Sequence, residues 1–154
     1  MTVPHMPLSG LLRRARHRAA GDWRPGPSDA AIAKALTLLR NHGHRSVRIL
    51  DLDCGDGTRL IRAAATAREL GFVAIEGRGT GDWSTGIRHA RWQTEAETHP
   101  TTGLTFDLAE PMAALAAEHD GSADLILLSE PMPYPASPLA IALARVNAGT
   151  VLAA

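Results

Sequence analysis

Residues 49–57 read Ile-Leu-Asp-Leu-Asp-Cys-Gly-Asp-Gly and lead from an apolar segment into a short acidic loop. The segment Val47–Leu52 is apolar at four of its six positions, which predicts a buried parallel strand. A helical pattern follows at once, from Thr58 to Leu70. Gly55 and Gly57 allow the loop to take backbone conformations that other residues resist and to approach a ligand closely. A glycine turn between a strand and a helix N-terminus is the usual position of a cofactor in an open α/β sheet.

The charge of this loop indicates which kind of cofactor it suits. Asp51, Asp53 and Asp56 place three carboxylates within six positions. A pyrophosphate would be repelled, because like unit charges a few Å apart in a partly dry site interact by about a few kcal/mol. A cationic ligand without phosphate suits the loop, and S-adenosylmethionine carries a sulfonium and an ammonium.

The bulk composition sets limits on the class of protein. The 154 residues suit a single domain with a sizeable core, and the formal net charge is zero. No strong overall field therefore recruits nucleic acid, and no apolar run reaches the ~18 residues of a membrane span. The first ten residues lack the order of a signal peptide, and one cysteine excludes an internal disulfide. We expect a cytoplasmic protein with no membrane segment, no nucleic-acid partner and no metal site.

Strand and helix patterns alternate along most of the chain. Residues 1–27 are predicted to form an N-terminal arm with a short basic helix, Leu11–Ala20, and residues 28–154 a single folded domain. The strands are expected at 47–52, 72–76, 104–106, 124–129 and 150–154, with Gly77–Gly81 as a glycine-rich extension of the second. This alternation predicts an α/β fold with right-handed crossovers, a parallel sheet and helices on both faces.

The acidic loop resembles motif I of the class I S-adenosylmethionine-dependent methyltransferases, whose usual form is Asp/Glu-x-Gly-x-Gly-x-Gly. Here it reads Asp51-Leu52-Asp53-Cys54-Gly55-Asp56-Gly57, with Asp53 in place of the first glycine. The resemblance extends over residues 28–154 and implies a Rossmann-like sheet in the order 3-2-1-4-5. The family usually continues with sixth and seventh strands, and we expect the fold here to lack them. Strand five is then an exposed edge, which invites pairing in a homodimer.

The resemblance also implies where the cofactor binds. Asp51 and the loop from Asp53 to Gly57, with Cys54, Gly55 and Asp56, would hold the methionine end. The family places an acid that binds the ribose hydroxyls at the end of strand two. Glu76, which ends the predicted strand, is the preferred candidate, and Asp82 stays open as the alternative.

The ends of strands three and four, together with one tryptophan, complete the implied site. Asp107 follows strand three, where the family often has an acid that accepts a hydrogen bond from the adenine amino group. Leu108 lies beside it, Trp83 is the tryptophan best placed to stack on the ligand, and Ser129 follows strand four.

The implied function is transfer of a methyl group from S-adenosyl-L-methionine to a small-molecule acceptor that the sequence does not identify. Glu130 and Tyr134, beyond strand four, are the candidates for a general base, although in-line positioning alone serves many methyl transfers. The alternative is a non-catalytic methyltransferase-like protein that binds the cofactor or a protein partner. A dinucleotide-dependent oxidoreductase is disfavoured, because the loop is acidic and the sequence lacks Gly-x-Gly-x-x-Gly.

Overall fold

The computed structural model describes residues 26–96 and 98–153, with the backbone alone at Pro27. The predicted basic helix Leu11–Ala20 lies outside these residues. Helices and strands alternate through the described part in the order α1 Pro27–Asn41, β1 Ser46–Leu52, α2 Thr58–Glu69, β2 Ala74–Gly81, α3 Ser84–Ala96, β3 Thr102–Leu108, α4 Pro111–Ala116, β4 Ala123–Leu128, α5 Pro138–Val146 and β5 Asn147–Ala153. No helix among the described residues has the length and apolar character needed to cross a membrane.

The five strands form one sheet in the order β3-β2-β1-β4-β5. All four neighbouring pairs are parallel, so every carboxyl end lies at the same edge of the sheet. The predicted order and the parallel direction are confirmed. β5 is an edge strand of this sheet, and its pairing with a second copy of the chain stays a prediction.

Helices cover both faces of the sheet, as predicted. One face packs against α1, α2 and α3 around Ile49, Leu60 and Phe106. The other packs against α4 and α5 around Leu50 and Ile126. Consecutive residues of a strand point to opposite faces, which is why Ile49 and Leu50 enter different clusters.

The predicted end of strand two was wrong by five residues, because β2 continues through the glycine-rich segment to Gly81. Glycine is depleted in strands, so the sequence favoured an irregular extension. In the structure a Cβ at Gly77 would lie 2.5 Å from Leu104 Cδ2, and one at Gly79 would lie 2.6 Å from Phe106 Cδ1. These glycines leave room for bulky side chains of β3. Glu76 is therefore the third residue of β2 and not its last.

β3 and β5 begin two or more residues earlier than predicted. β3 starts at Thr102, two residues before Leu104. β5 starts at Asn147, directly after α5 and three residues before the predicted start at Thr150. A Cβ at Gly149 would collide with the carbonyl of Asp124, so the glycine allows β5 to approach β4 closely.

Candidate functional site

The carboxyl edge of the sheet brings together four segments that are separate in sequence. The register pairs Leu52 with both Thr80 and Leu128, and pairs Gly81 with Leu108. The segments that follow these strands are the loop 53–57, residues 82–83, residues 109–110 and residues 129–130. Most of the predicted site residues lie in these segments or directly before them.

The loop after β1 has left-handed backbone at three positions, with φ of 59° at Asp53, 58° at Gly55 and 80° at Gly57. The two glycines meet different surroundings. A Cβ at Gly57 would lie 2.6 Å from Ala90 Cβ and 2.7 Å from Phe106 Cε1. At Gly55, by contrast, no described residue other than its chain neighbours lies within 4 Å of the Cβ position. Gly57 therefore serves the packing of α2 and α3, and Gly55 leaves the loop open to a ligand.

Asp51 is fully buried at the end of β1, with 0% of its surface exposed. The Arg59 guanidinium donates to both of its carboxylate oxygens, from Nη2 to Oδ1 and, at 3.2 Å, from Nε to Oδ2. Burial raises the pKa of Asp51, and the hydrogen bond and charge of Arg59 oppose that rise. Arg59 therefore pairs with Asp51, the carboxylate that was predicted to hold the methionine end of the cofactor.

Arg59 also ties β1 to β4. Its Nη1 donates to the carbonyl oxygen of Leu128 at 3.0 Å, and its Nη2 donates to Ser129 Oγ at 3.1 Å. The Ser129 hydroxyl in turn donates to the carbonyl oxygen of Asp53 at 2.8 Å. Ser129 therefore helps to fix the backbone of the loop.

The other two loop acids have different surroundings. Asp56 Oδ1 accepts a hydrogen bond at 3.1 Å from the amide of Thr58, the first residue of α2. The Asp53 side chain is exposed and lies beside Gly81, where a Cβ would be 3.9 Å from its Oδ1. No described residue donates a hydrogen bond to the Asp53 carboxylate or forms an ion pair with it.

Cys54 is buried in the same loop. Its amide donates to the carbonyl oxygen of Thr80 at 2.8 Å, and its sulfur lies 3.0 Å from the Cβ position of Gly79. Burial and the charge of Asp51 raise the pKa of Cys54 to about 12, so the thiol stays protonated near neutral pH. Cys54 is therefore a packing residue beneath the loop and not a nucleophile.

The two candidates for the ribose acid lie at opposite ends of β2. Asp82 directly follows Gly81 and is exposed at the carboxyl edge. Glu76 lies near the amino end of the strand, where its Oε1 accepts a hydrogen bond from Arg48 Nε at 3.1 Å. Asp82 is thus beside the loop, and Glu76 is not.

Trp83 and Leu108 border the same edge with exposed apolar surface. Trp83 is 55% exposed, and its ring lies against Gly86 in the first turn of α3. Leu108 is the last residue of β3 and is 58% exposed.

Asp107 lies one residue before the end of β3. Its Oδ2 accepts a hydrogen bond from Arg78 Nε at 2.9 Å, and its Oδ1 lies 3.7 Å from Arg91 Nη2. Its side chain is 44% exposed, so the carboxylate retains lone pairs for a further donor.

The segment after β4 presents Glu130 and Tyr134 to solvent, with Tyr134 88% exposed. Neither side chain forms a hydrogen bond with a described residue. The structure therefore places both beyond the strand end without holding either one in a catalytic geometry.

Several solved structures resemble this arrangement of strands. A putative S-adenosyl-L-methionine-dependent methyltransferase from Methanococcus maripaludis matches with a TM-score of 0.57 and 13% identity, over 99% of this chain and 66% of that chain. A putative class I methyltransferase from Listeria monocytogenes matches with a TM-score of 0.53 and 18% identity, over 83% and 40%. The protein WbdD matches with a TM-score of 0.52 and 22% identity, over 65% and 20%. This is the class I methyltransferase fold.

The fold is supported by similarity to solved structures and not by similarity of sequence. No protein-family model and no curated protein matches the sequence. This chain spans about a fifth of WbdD and about two thirds or less of the other two structures.

The amino edge of the sheet, opposite the loop, carries a separate feature of this methyltransferase fold. A cavity of about 440 Å³ lies there, bordered by Arg48, Glu76, Thr102 and Asp124. Arg48 and Glu76 pair with each other, and the Arg48 amide donates to Asp124 Oδ2 at 2.8 Å. We place the candidate site at the carboxyl edge, because the open glycine turn and the free carboxylates are there.

Sequence reasoning did not identify Arg59 as a partner of the loop acids. The available signal was Asp51, a carboxylate inside an otherwise apolar strand segment. A buried carboxylate needs a cationic partner. Arg59, the second residue of the helix that follows the loop, is a nearby cation in the sequence.

Proposed function

We propose that this chain binds S-adenosyl-L-methionine and transfers its methyl group to a small-molecule acceptor. One observation carries the proposal: the open turn at Gly55 lies at the same sheet edge as the carboxylates of Asp53, Asp82 and Asp107. The class I methyltransferase fold supports it, since the solved structures that share this fold include S-adenosyl-L-methionine-dependent methyltransferases.

The chemistry of these side chains suits a nucleoside that has no phosphate. Ionised carboxylates only accept hydrogen bonds, and the ribose hydroxyls and the adenine amino group all supply donors. A dinucleotide would place its pyrophosphate beside the acidic loop, where like charges repel. The residues present therefore fit S-adenosyl-L-methionine better than NAD.

Each end of the cofactor has a candidate partner. Asp82 would accept hydrogen bonds from the ribose hydroxyls, as a carboxylate accepts two parallel bonds from a diol. Asp107 would accept from the adenine amino group, with Leu108 and the exposed face of Trp83 beside the ring. The loop from Asp53 to Gly57 would border the methionine end.

The bound cofactor would supply an electrophilic methyl group on its sulfonium. The chain's own contribution would be to bind and orient both reactants. Holding them in line supplies a large share of the lowering of the activation barrier in such reactions. The acceptor would approach from the segment after β4, where Met132 and Tyr134 expose apolar surface. Glu130 and Tyr134 remain the candidates for a base.

Calorimetry with S-adenosylmethionine, S-adenosylhomocysteine and NAD tests the binding step. We expect the first two to bind and NAD not to bind. A folded protein that binds neither of the first two would contradict the proposal. Transfer of a labelled methyl group across a panel of small-molecule acceptors then tests the reaction, and binding without transfer would favour a non-catalytic role.

A further inference from the structure

The three carboxylates of the loop region are not equivalent. Asp51 is buried and bonded to Arg59 through both of its oxygens. Asp56 is bonded to the amide of Thr58 at the start of α2. Asp53 is exposed, and among the described residues its carboxylate has no partner. Asp53 is thus the only one of the three whose full charge is available to a ligand.

We propose that Asp53 is the residue that receives the ammonium group of the cofactor's methionine end, in place of Asp51. This inference rests on the proposed function and assigns a role within that site. It also accounts for the aspartate at the position where the related motif has its first glycine. With Arg59 bonded to Asp51, a cationic ligand needs a second carboxylate at this edge.

The backbone around Asp53 is held in place on both sides. Ser129 Oγ donates to the Asp53 carbonyl oxygen at 2.8 Å, and the Cys54 amide donates to the Thr80 carbonyl oxygen at 2.8 Å. Aspartate and asparagine tolerate the left-handed conformation that Asp53 adopts. The carboxylate is therefore presented from a fixed backbone, which lowers the entropy lost when a ligand binds.

The Asp53 carboxylate lies beside Gly81, the last residue of β2. A Cβ at Gly81 would lie 3.9 Å from Asp53 Oδ1 and 3.8 Å from the Cys54 amide nitrogen. Glycine at the end of β2 places no side chain against the Asp53 carboxylate. An ammonium group there would donate a charge-assisted hydrogen bond to the Asp53 carboxylate.

The substitution Asp53→Asn removes the charge while keeping the shape and the tolerance for the left-handed backbone. Calorimetry would compare its affinity for S-adenosylhomocysteine, which carries the ammonium, with its affinity for 5′-methylthioadenosine, which lacks the amino acid. We expect a loss of about tenfold or more for the first ligand and less than about twofold for the second. Glu95→Gln, a neutralised exposed acid of α3 outside the candidate site, is the control and should alter neither affinity.

The outcomes separate this inference from the proposed function. Unchanged or tighter binding of S-adenosylhomocysteine by Asp53→Asn would overturn the role of Asp53 and leave cofactor binding intact. An equal loss for both ligands would overturn it as well, because the effect would not depend on the ammonium. Failure of the wild-type protein to bind either ligand would overturn the proposed function together with this inference.

Discussion

Arg59 donates hydrogen bonds to both carboxylate oxygens of Asp51, and this ion pair lies directly beneath the candidate cofactor loop. The pair joins the end of β1 to the first turn of α2, and further bonds from Arg59 reach β4. It therefore fixes the geometry of the site and removes the charge of Asp51 from the set available to a ligand.

Removing the cation should destabilise the fold. Arg59→Met leaves Asp51 buried without its partner, and loss of one member of a buried pair costs about 3 kcal/mol. The double variant Asp51→Leu/Arg59→Met should recover most of that loss, since it leaves no buried charge behind. Urea unfolding of the three proteins measures both effects, and a double variant no more stable than the single variant would contradict the assignment.

The deficit of Arg59→Met should depend on pH. Burial raises the pKa of Asp51, and without Arg59 nothing comparable opposes that rise. A carboxyl whose pKa is higher in the folded state contributes stability at low pH that is lost as the pH rises through the folded pKa. The difference in unfolding free energy from wild type should therefore be smaller at about pH 5 than at about pH 8. An equal difference at both pH values would argue against Asp51 as the buried group.

The two loop glycines should differ in their tolerance of alanine. Gly57→Ala places a Cβ against Ala90 and Phe106 and should cost about 3 kcal/mol. Gly55→Ala meets no described residue beyond its chain neighbours within 4 Å and should cost about 1 kcal/mol, from the left-handed backbone alone. Thermal or urea unfolding measures both costs. A larger cost at Gly55 would show that the packing is misassigned.

Neutralising the two candidate ribose acids should affect ligand affinity differently. Asp82→Asn should weaken 5′-methylthioadenosine binding by about tenfold, because the diol loses charged acceptors. Glu76→Gln should leave that affinity unchanged, since Glu76 is bonded to Arg48 near the amino end of β2. Calorimetry on both variants decides, and the reverse result would restore Glu76 as the ribose ligand.

Thr80 offers a test of the core beneath the site. It is fully buried, and its hydroxyl has no hydrogen-bond partner among the described residues. Thr80→Val should leave the unfolding free energy unchanged or raise it by up to about 1 kcal/mol, because an unsatisfied polar group is removed. Thr80→Ala, which also removes a methyl group, should lower it by about 1 kcal/mol. A marked loss in the valine variant would mean that the hydroxyl has a partner in solution.

The sequence was sufficient to predict the architecture, because hydrophobic period and turn residues are local signals. The apolar run at Leu125–Leu128 and the glycine turn at Gly55 and Gly57 both lie where they were predicted. Those signals, together with the resemblance to motif I, led to the correct order of strands.

Contacts between distant residues were harder to predict. The glycines of β2 have a structural reason only when Leu104 and Phe106 of β3 are brought beside them. The end of strand two was predicted wrongly for this reason, because the glycine-rich segment could not be assigned to the strand without its neighbours in β3. The preference for Glu76 depended on that predicted strand end. Arg59 was missed because the orientation of a helical side chain depends on packing that sequence period alone does not specify.

Backbone amide chemical shifts measured with and without S-adenosylhomocysteine test the location of the site most directly. We predict shifts in residues 53–57, Asp82 and Leu108 at the carboxyl edge, and none in Ser46–Arg48 or Thr101–Gly103 around the cavity at the amino edge. Shifts confined to the amino edge, or none at all in the folded protein, would contradict a cofactor site at the loop.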